Sequence, residues 1–125
     1  MSETIKSYKD LKAWQQAMIL VETAYGLAGQ LPDSEKHGLR SQMTRAAVSV
    51  PANIAEGHGS YHRGVFLNHL SISRGSLTEL ETYVLLTVSL KFLRPEQVQQ
   101  IQEQIQSVGR LINALMRALR SKDKA

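Results

Sequence analysis

The side chains of this sequence that are of types able to do chemistry fall into four groups: basic residues, closely spaced histidines, glutamates and scattered serines. The basic residues carry the clearest pattern. Arg110, Arg117 and Lys124 recur every seven residues, and Arg120 falls on the same outward half of that segment. Lys6, Lys9 and Lys12 lead into the first helical segment, Lys122 lies near the end of the last, and Arg63 sits by the turn between the second and third. Gathered in one place, these are donors for phosphate oxygens, and such a patch binds without regard to base sequence and weakens with salt. The same residues also read as a solvated face: Glu96 and Glu103 come early in the last segment and the cations late, which complements a helix dipole.

The other three groups give less. His58 and His62 are four apart, the spacing of helical metal ligands, but Gly59 stands between them at an expected break. No carboxylate is spaced to complete a set with them or with His69, so no metal site is expected. Glu79 and Glu81 are two apart and point in different directions from a helix. Glu56 or Glu79 is expected instead to form an inter-helix ion pair with Arg45 or Arg74. The serines lack a nucleophile context such as Gly-x-Ser-x-Gly, and no glycine-rich phosphate loop is present. The expectation is a non-catalytic protein without a cofactor.

Composition sets the bounds. A chain of 125 residues is enough for one domain with one core, and the expected domain is 1–125 with its ordered part over about 7–120. Lys plus Arg outnumber Asp plus Glu by 15 to 11, a net +4 that permits an anionic partner without demanding one. With no cysteine there is no disulfide framework and no zinc–thiolate site. The first nine residues carry no apolar signal core and the longest apolar runs are far short of a membrane span, so a cytoplasmic protein away from membranes is expected.

These groups must be positioned by helices. Residues 38–57 organise the rest: Leu39, Met43, Ala46, Val50 and Ile54 recur at helical steps, with Ser41, Ala47, Ser49, Ala52 and Ala55 as small residues between them. Pro51 falls inside this stripe without shifting its phase, which favours one helix kinked at Pro51 over two helices. Gly57 and Gly59 are expected to end it through positive φ. In the first helix, Leu11, Trp14, Met18, Val21, Tyr25 and Ala28 form a heptad seam, with Trp14 and Tyr25 as core or interface anchors and Tyr8 and Tyr61 better placed for exposure. Ser7 and Asp10 form a capping-box-like pair before it, and Ser34 and Ser60 are candidate caps for the second and third helices.

The third helix has the seam Phe66, Leu70, Ser73, Leu77, Leu80, Val84 and Thr87. Gly75 lies in its middle at a cost of about 1 kcal/mol against alanine, which suggests close packing against the small residues around Ala46 and Ala47. The fourth helix starts at Pro95, with Gln97 as capping acceptor, and runs the seam Val98, Ile101, Ile105, Val108, Ile112, Leu115 and Leu119. Four helical segments with short connectors and no strand alternation make an all-α, antiparallel up-down-up-down four-helix bundle. In that topology the helix 1 lysines and the late helix 4 cations share one end. Leu67, Ile72, Leu85, Val88, Leu111 and Met116 lie outside the main seams, an apolar excess that suits a homo-oligomer.

Three ordered motifs also carry a resemblance. They are Leu39-x-Ser41-Gln42-x-x-Arg45-Ala46-Ala47-Val48-Ser49-x-Pro51-x-Asn53-Ile54-Ala55-Glu56-Gly57, the opening Tyr8-Lys9-Asp10-Leu11-x-x-Trp14, and the later Gly75-Ser76-Leu77-x-Glu79-Leu80-Glu81-Thr82. In order and spacing the chain resembles the four-helix-bundle family encoded in intervening sequences of bacterial 23S ribosomal RNA genes. Thr44 and Val65 depart from it, standing where a second basic residue and an acidic residue are frequent. The resemblance marks Arg45, Pro51, Asn53, Glu56, Gly57, Gly75 and Glu79 as the structural motif. It implies RNA or DNA binding, a ring-like homopentamer and, from relatives that are accessory subunits of a retroelement reverse transcriptase, a nucleic-acid enzyme as a partner. A scaffold whose basic end meets an acidic protein is the alternative.

Overall fold

The computed structural model describes residues 5–123. Among these residues there is no strand. The helices are α1 (Lys12–Ala28), α2 (Leu39–His58), α3 (Arg63–Ser89) and α4 (Gln99–Asp123), with single 3-10 turns at Tyr8–Asp10, Asp33–Glu35 and Pro95–Val98. Each helix packs on two others, in the cyclic order α1, α2, α3, α4. Two of the pairs that meet run visibly in opposite senses: Val50 lies by Ser73 and Asn53 by His69 between α2 and α3, and Asn113 lies by Arg74 and Gly109 by Leu77 between α4 and α3.

The local starts and stops have identifiable causes. Ser7 Oγ accepts from the Lys9 amide and Asp10 Oδ2 accepts from the Ser7 amide, so the expected capping box forms. It caps the short 3-10 turn, and α1 starts two residues later with Leu11 as its N-cap. For α2 the cap is not Ser34: Glu35 Oε1 accepts from the Leu39 amide behind Gly38. Ser60 Oγ accepts from the His62 amide, and His62 is the residue that precedes α3. Gln97 Oε1 accepts from the Arg94 amide with Pro95 between them, as read from the sequence. Arg40 ties α1 to α2 by donating to the Ala28 carbonyl at the end of α1 and to the Leu31 carbonyl in the connector beyond it.

The core has one correction of substance. In α1 the buried stripe is Ala13, Ala17, Leu20, Ala24 and Leu27, not the heptad Trp14, Met18, Val21 and Tyr25. Met18 is 44% and Tyr25 54% exposed, while Trp14 and Val21 are half-buried. Alanines at the contact let α1 approach its neighbours more closely than the bulkier stripe would, so shape rather than side-chain size chose the face. Tyr61 is exposed, but Tyr8 is half-buried, edge-on to Trp14 at a centroid distance of 5.3 Å. In α2, α3 and α4 the expected seams are the core, with Leu39, Phe66, Leu115 and Leu119 only partly covered. Met116 belongs to that core, 1% exposed, rather than to an outer apolar patch. Leu67, Val88 and Leu111 are half-buried against it, which leaves Ile72 and Leu85 exposed.

α2 continues through Pro51, which is buried, so the two-helix alternative does not apply. The glycines exchange the roles read from the sequence. Among the described residues no glycine has positive φ, and Gly59, which follows the end of α2, has φ −70°. Gly57 is buried inside α2, where a Cβ would stand 2.7 Å from His69 Cβ and 2.9 Å from Phe66 Cδ1. Only a hydrogen fits between those helices there. Gly75 is exposed, and a Cβ on it would meet nothing within 4 Å, so it is not the close-packing glycine of α3.

Candidate nucleic-acid interface

The basic side chains are carried by the flanks of α1, α3 and α4, and helical register sets which flank each one occupies. Lys12 lines an apolar groove of about 270 Å³ with Leu11 and Ala13 on α1 and Leu111, Ala114, Leu115 and Ala118 on α4. The start of α1 thus lies against the late turns of α4. Lys6, Lys9 and Lys12 are all exposed there, with the Lys6 amide donating to Asp10 Oδ2.

Arg117 and Arg120 are exposed on a different flank of α4. Asn113 and Arg120, seven apart, share one side of the helix. That side faces α3, because Arg74 Nη1 donates to Asn113 Oδ1 at 3.1 Å. Arg110, seven residues before Arg117, is exposed with it on the outward face of α4, about 15 Å along the axis from Arg120. Arg63, eleven residues or three turns before Arg74, opens α3 on the matching flank. Lys12 therefore lies to one side of α4 and Arg120 to the other, with Arg110 and Arg117 on the outward face between them. Lys122 falls in the last turn of α4, and Lys124 lies outside the described residues.

The sequence reading missed Arg74 as a member of this surface. It had been paired with Glu56 or Glu79, but among the described residues no ion pair joins either glutamate to Arg45 or Arg74. Arg40 pairs instead with Asp33 and Arg94 with Glu96. The signal for Arg74 was its distance of eleven from Arg63, which is legible only once α3 is known to start at Arg63 and to lie against α4.

The motif residues build a polar seam between α2 and α3. Ser76 Oγ donates to Ser49 Oγ at 2.8 Å, Asn53 Nδ2 donates to the Ser49 carbonyl and hydroxyl, and His69 Nδ1 lies 3.0 Å from Asn53 Oδ1. Arg45 and Glu79 face a common notch of about 390 Å³ with Gln42, Ala46, Ser49 and Ser76. The Tyr83 hydroxyl lies 3.4 Å from Glu79 Oε2. Glu56 is exposed. These side chains hold two helices in register, and no nucleophile, acid–base pair or phosphate cradle arises among them. His58 packs edge-on against Phe66 at 5.6 Å. Among the described residues no three His, Cys, Asp or Glu side chains gather to hold a metal ion, and no helix is long and apolar enough to cross a membrane.

Comparison with known proteins is consistent with this architecture. Residues 9–114 match the model of the 23S rRNA-intervening sequence protein family. Among solved structures, the chain is similar to a protein of unknown function from the S23 ribosomal protein family of Bacteroides thetaiotaomicron. The identity is 21%, the TM-score 0.77, and the match covers 83% of this chain and 97% of the other. No curated protein sequence matches the chain.

Proposed function

The chain belongs to the 23S rRNA-intervening sequence protein family, and on that premise we propose that it is a non-catalytic RNA-binding protein that works as a homo-oligomer. The observation that carries the reading is the gathering of cations around the late turns of α4. Lys12 lies across the apolar groove on one flank, and Arg117 and Arg120 lie on the other. Phosphate oxygens are the ligands these donors suit, and the contact is sequence-independent. Lys6, Lys9, Arg63 and Arg110 are further candidates for phosphate contact.

Association of copies follows from apolar surface. Met18, Ile19, Tyr25 and Val48 on α1 and α2, and Ile72, Leu85, Leu86 and Leu90 on α3 or just after it, are exposed. Exposed apolar residues of this kind suit contacts between copies, and head-to-tail contacts that close make rings. Five copies is the number implied by the family resemblance. A ring repeats the cationic surface and raises its avidity.

The test is the binding of a labelled single-stranded RNA across a salt series. Arg117→Gln with Arg120→Gln should weaken binding and flatten the slope of log K against log salt by about 0.7 per lost phosphate contact. Unchanged binding at every salt concentration would reduce the surface to a solvated face. Light scattering at micromolar protein addresses assembly: the mass of a single chain would end the oligomer reading, and a closed number other than five would end the ring of five alone.

A further inference from the structure

We infer that the RNA backbone runs along the α3–α4 side of the molecule and that Arg74, held by Asn113, is one of its phosphate contacts. The inference rests on the RNA-binding reading above and says where on the surface the strand lies. Arg120 stands on the α3-facing flank of α4 with Arg110 and Arg117 on the outward face beside it, and the Arg74–Asn113 bond adds a fourth guanidinium between the levels of Arg110 and Arg117. Arg63 adds to them at the start of α3. From Arg110 to Arg120 the arginines cover about 15 Å, long enough to meet more than one phosphate of a strand.

Acidic residues give the line a direction. Glu81 borders the shallow α3–α4 cleft that Arg74, Leu77, Thr78, Ile105, Gln106 and Gly109 complete. Seven residues beyond Arg74, it lies about 10 Å further along α3, where a phosphate would be repelled. Glu103, exposed seven residues before Arg110, lies on the same side of α4. The strand therefore enters from the Arg63 and Arg120 end and leaves before Glu81. Asn113 acts as a positioning residue: its amide oxygen takes one N–H of Arg74 and leaves the others directed outward for a phosphate.

The experiment uses the full chain and a labelled single-stranded RNA, with anisotropy read over a salt series. Arg74→Gln should flatten the salt slope by about 0.7, Arg74→Lys should restore it, and Glu81→Gln should tighten binding at low salt. The melting temperature of each variant is measured alongside, so that lost binding is not lost folding. If Arg117→Gln with Arg120→Gln flattens the slope while Arg74→Gln and Glu81→Gln change nothing, the path along α3 is overturned and the RNA-binding reading stands. If no arginine variant changes the slope, both fall.

Discussion

The α2–α3 and α1–α4 contacts are built in opposite ways. Between α2 and α3, small residues bring the helices close and hydrogen bonds fix their register. Ser73 Oγ donates to the Val50 carbonyl at 2.9 Å in a fully buried site, Ser76 meets Ser49, and Gly57 leaves no room for a Cβ. Between α1 and α4 the contact is apolar, and it opens into a groove at the Leu11 and Ala118 end. A slide of one helix along the other would break several directional bonds in the first seam and few in the second. Close approach with specific bonds admits few residue types, whereas a greasy contact with spare volume admits many, and the two longer of the three motifs lie in α2 and α3.

One series of melting temperatures tests this contrast. Gly57→Val should have the largest effect, a loss on the order of 1–3 kcal/mol or more, because its branched side chain meets His69 and Phe66 at distances no rotamer relieves. A variant as stable as the parent would show that α2 and α3 can separate there, and the tight seam would be no different from the loose one. Gly75→Ala should have a smaller effect of opposite sign, a gain of up to about 1 kcal/mol, since the new methyl meets nothing and the helix loses a glycine. A loss would mean that something outside the chain rests on that face of α3. Ala118→Leu should change stability least, within about 0.5 kcal/mol, because the added carbons extend into the open groove beside Leu11 and Leu115. A loss as large as that of Gly57→Val would show the α1–α4 contact to be as closely fitted as α2–α3.

The two glycines also show where reading the sequence stops. A mid-helix glycine signals either a close neighbour or none at all, and the residue itself carries no mark of which. Gly57 was read as a terminator and Gly75 as the packing site, yet Gly57 does the packing. The basic residues illustrate the same limit. Heptad spacing puts Arg110 and Arg117 on one line of α4, but how far that line is turned from α1 and from α3 depends on the rotation of the helix in the bundle. The Arg74–Asn113 bond records that rotation and brings in an arginine that spacing had assigned to an ion pair.

The sequence by itself determined that this protein is four helices, roughly where they begin and end, and which faces of α2, α3 and α4 are buried. Each of those helices has one dominant apolar stripe, and periodicity along a single helix is enough to find it. Helix α1 has two stripes, Trp14-Met18-Val21-Tyr25 and Ala13-Ala17-Leu20-Ala24, and nothing within α1 ranks them. Only the tertiary structure chose the smaller-sided one. The choice depends on the shapes of the surfaces that α2 and α4 present, and close packing favours the stripe that lets three helices approach at once. What remained outside is Met18 and Tyr25 on α1 and the arginines on α4.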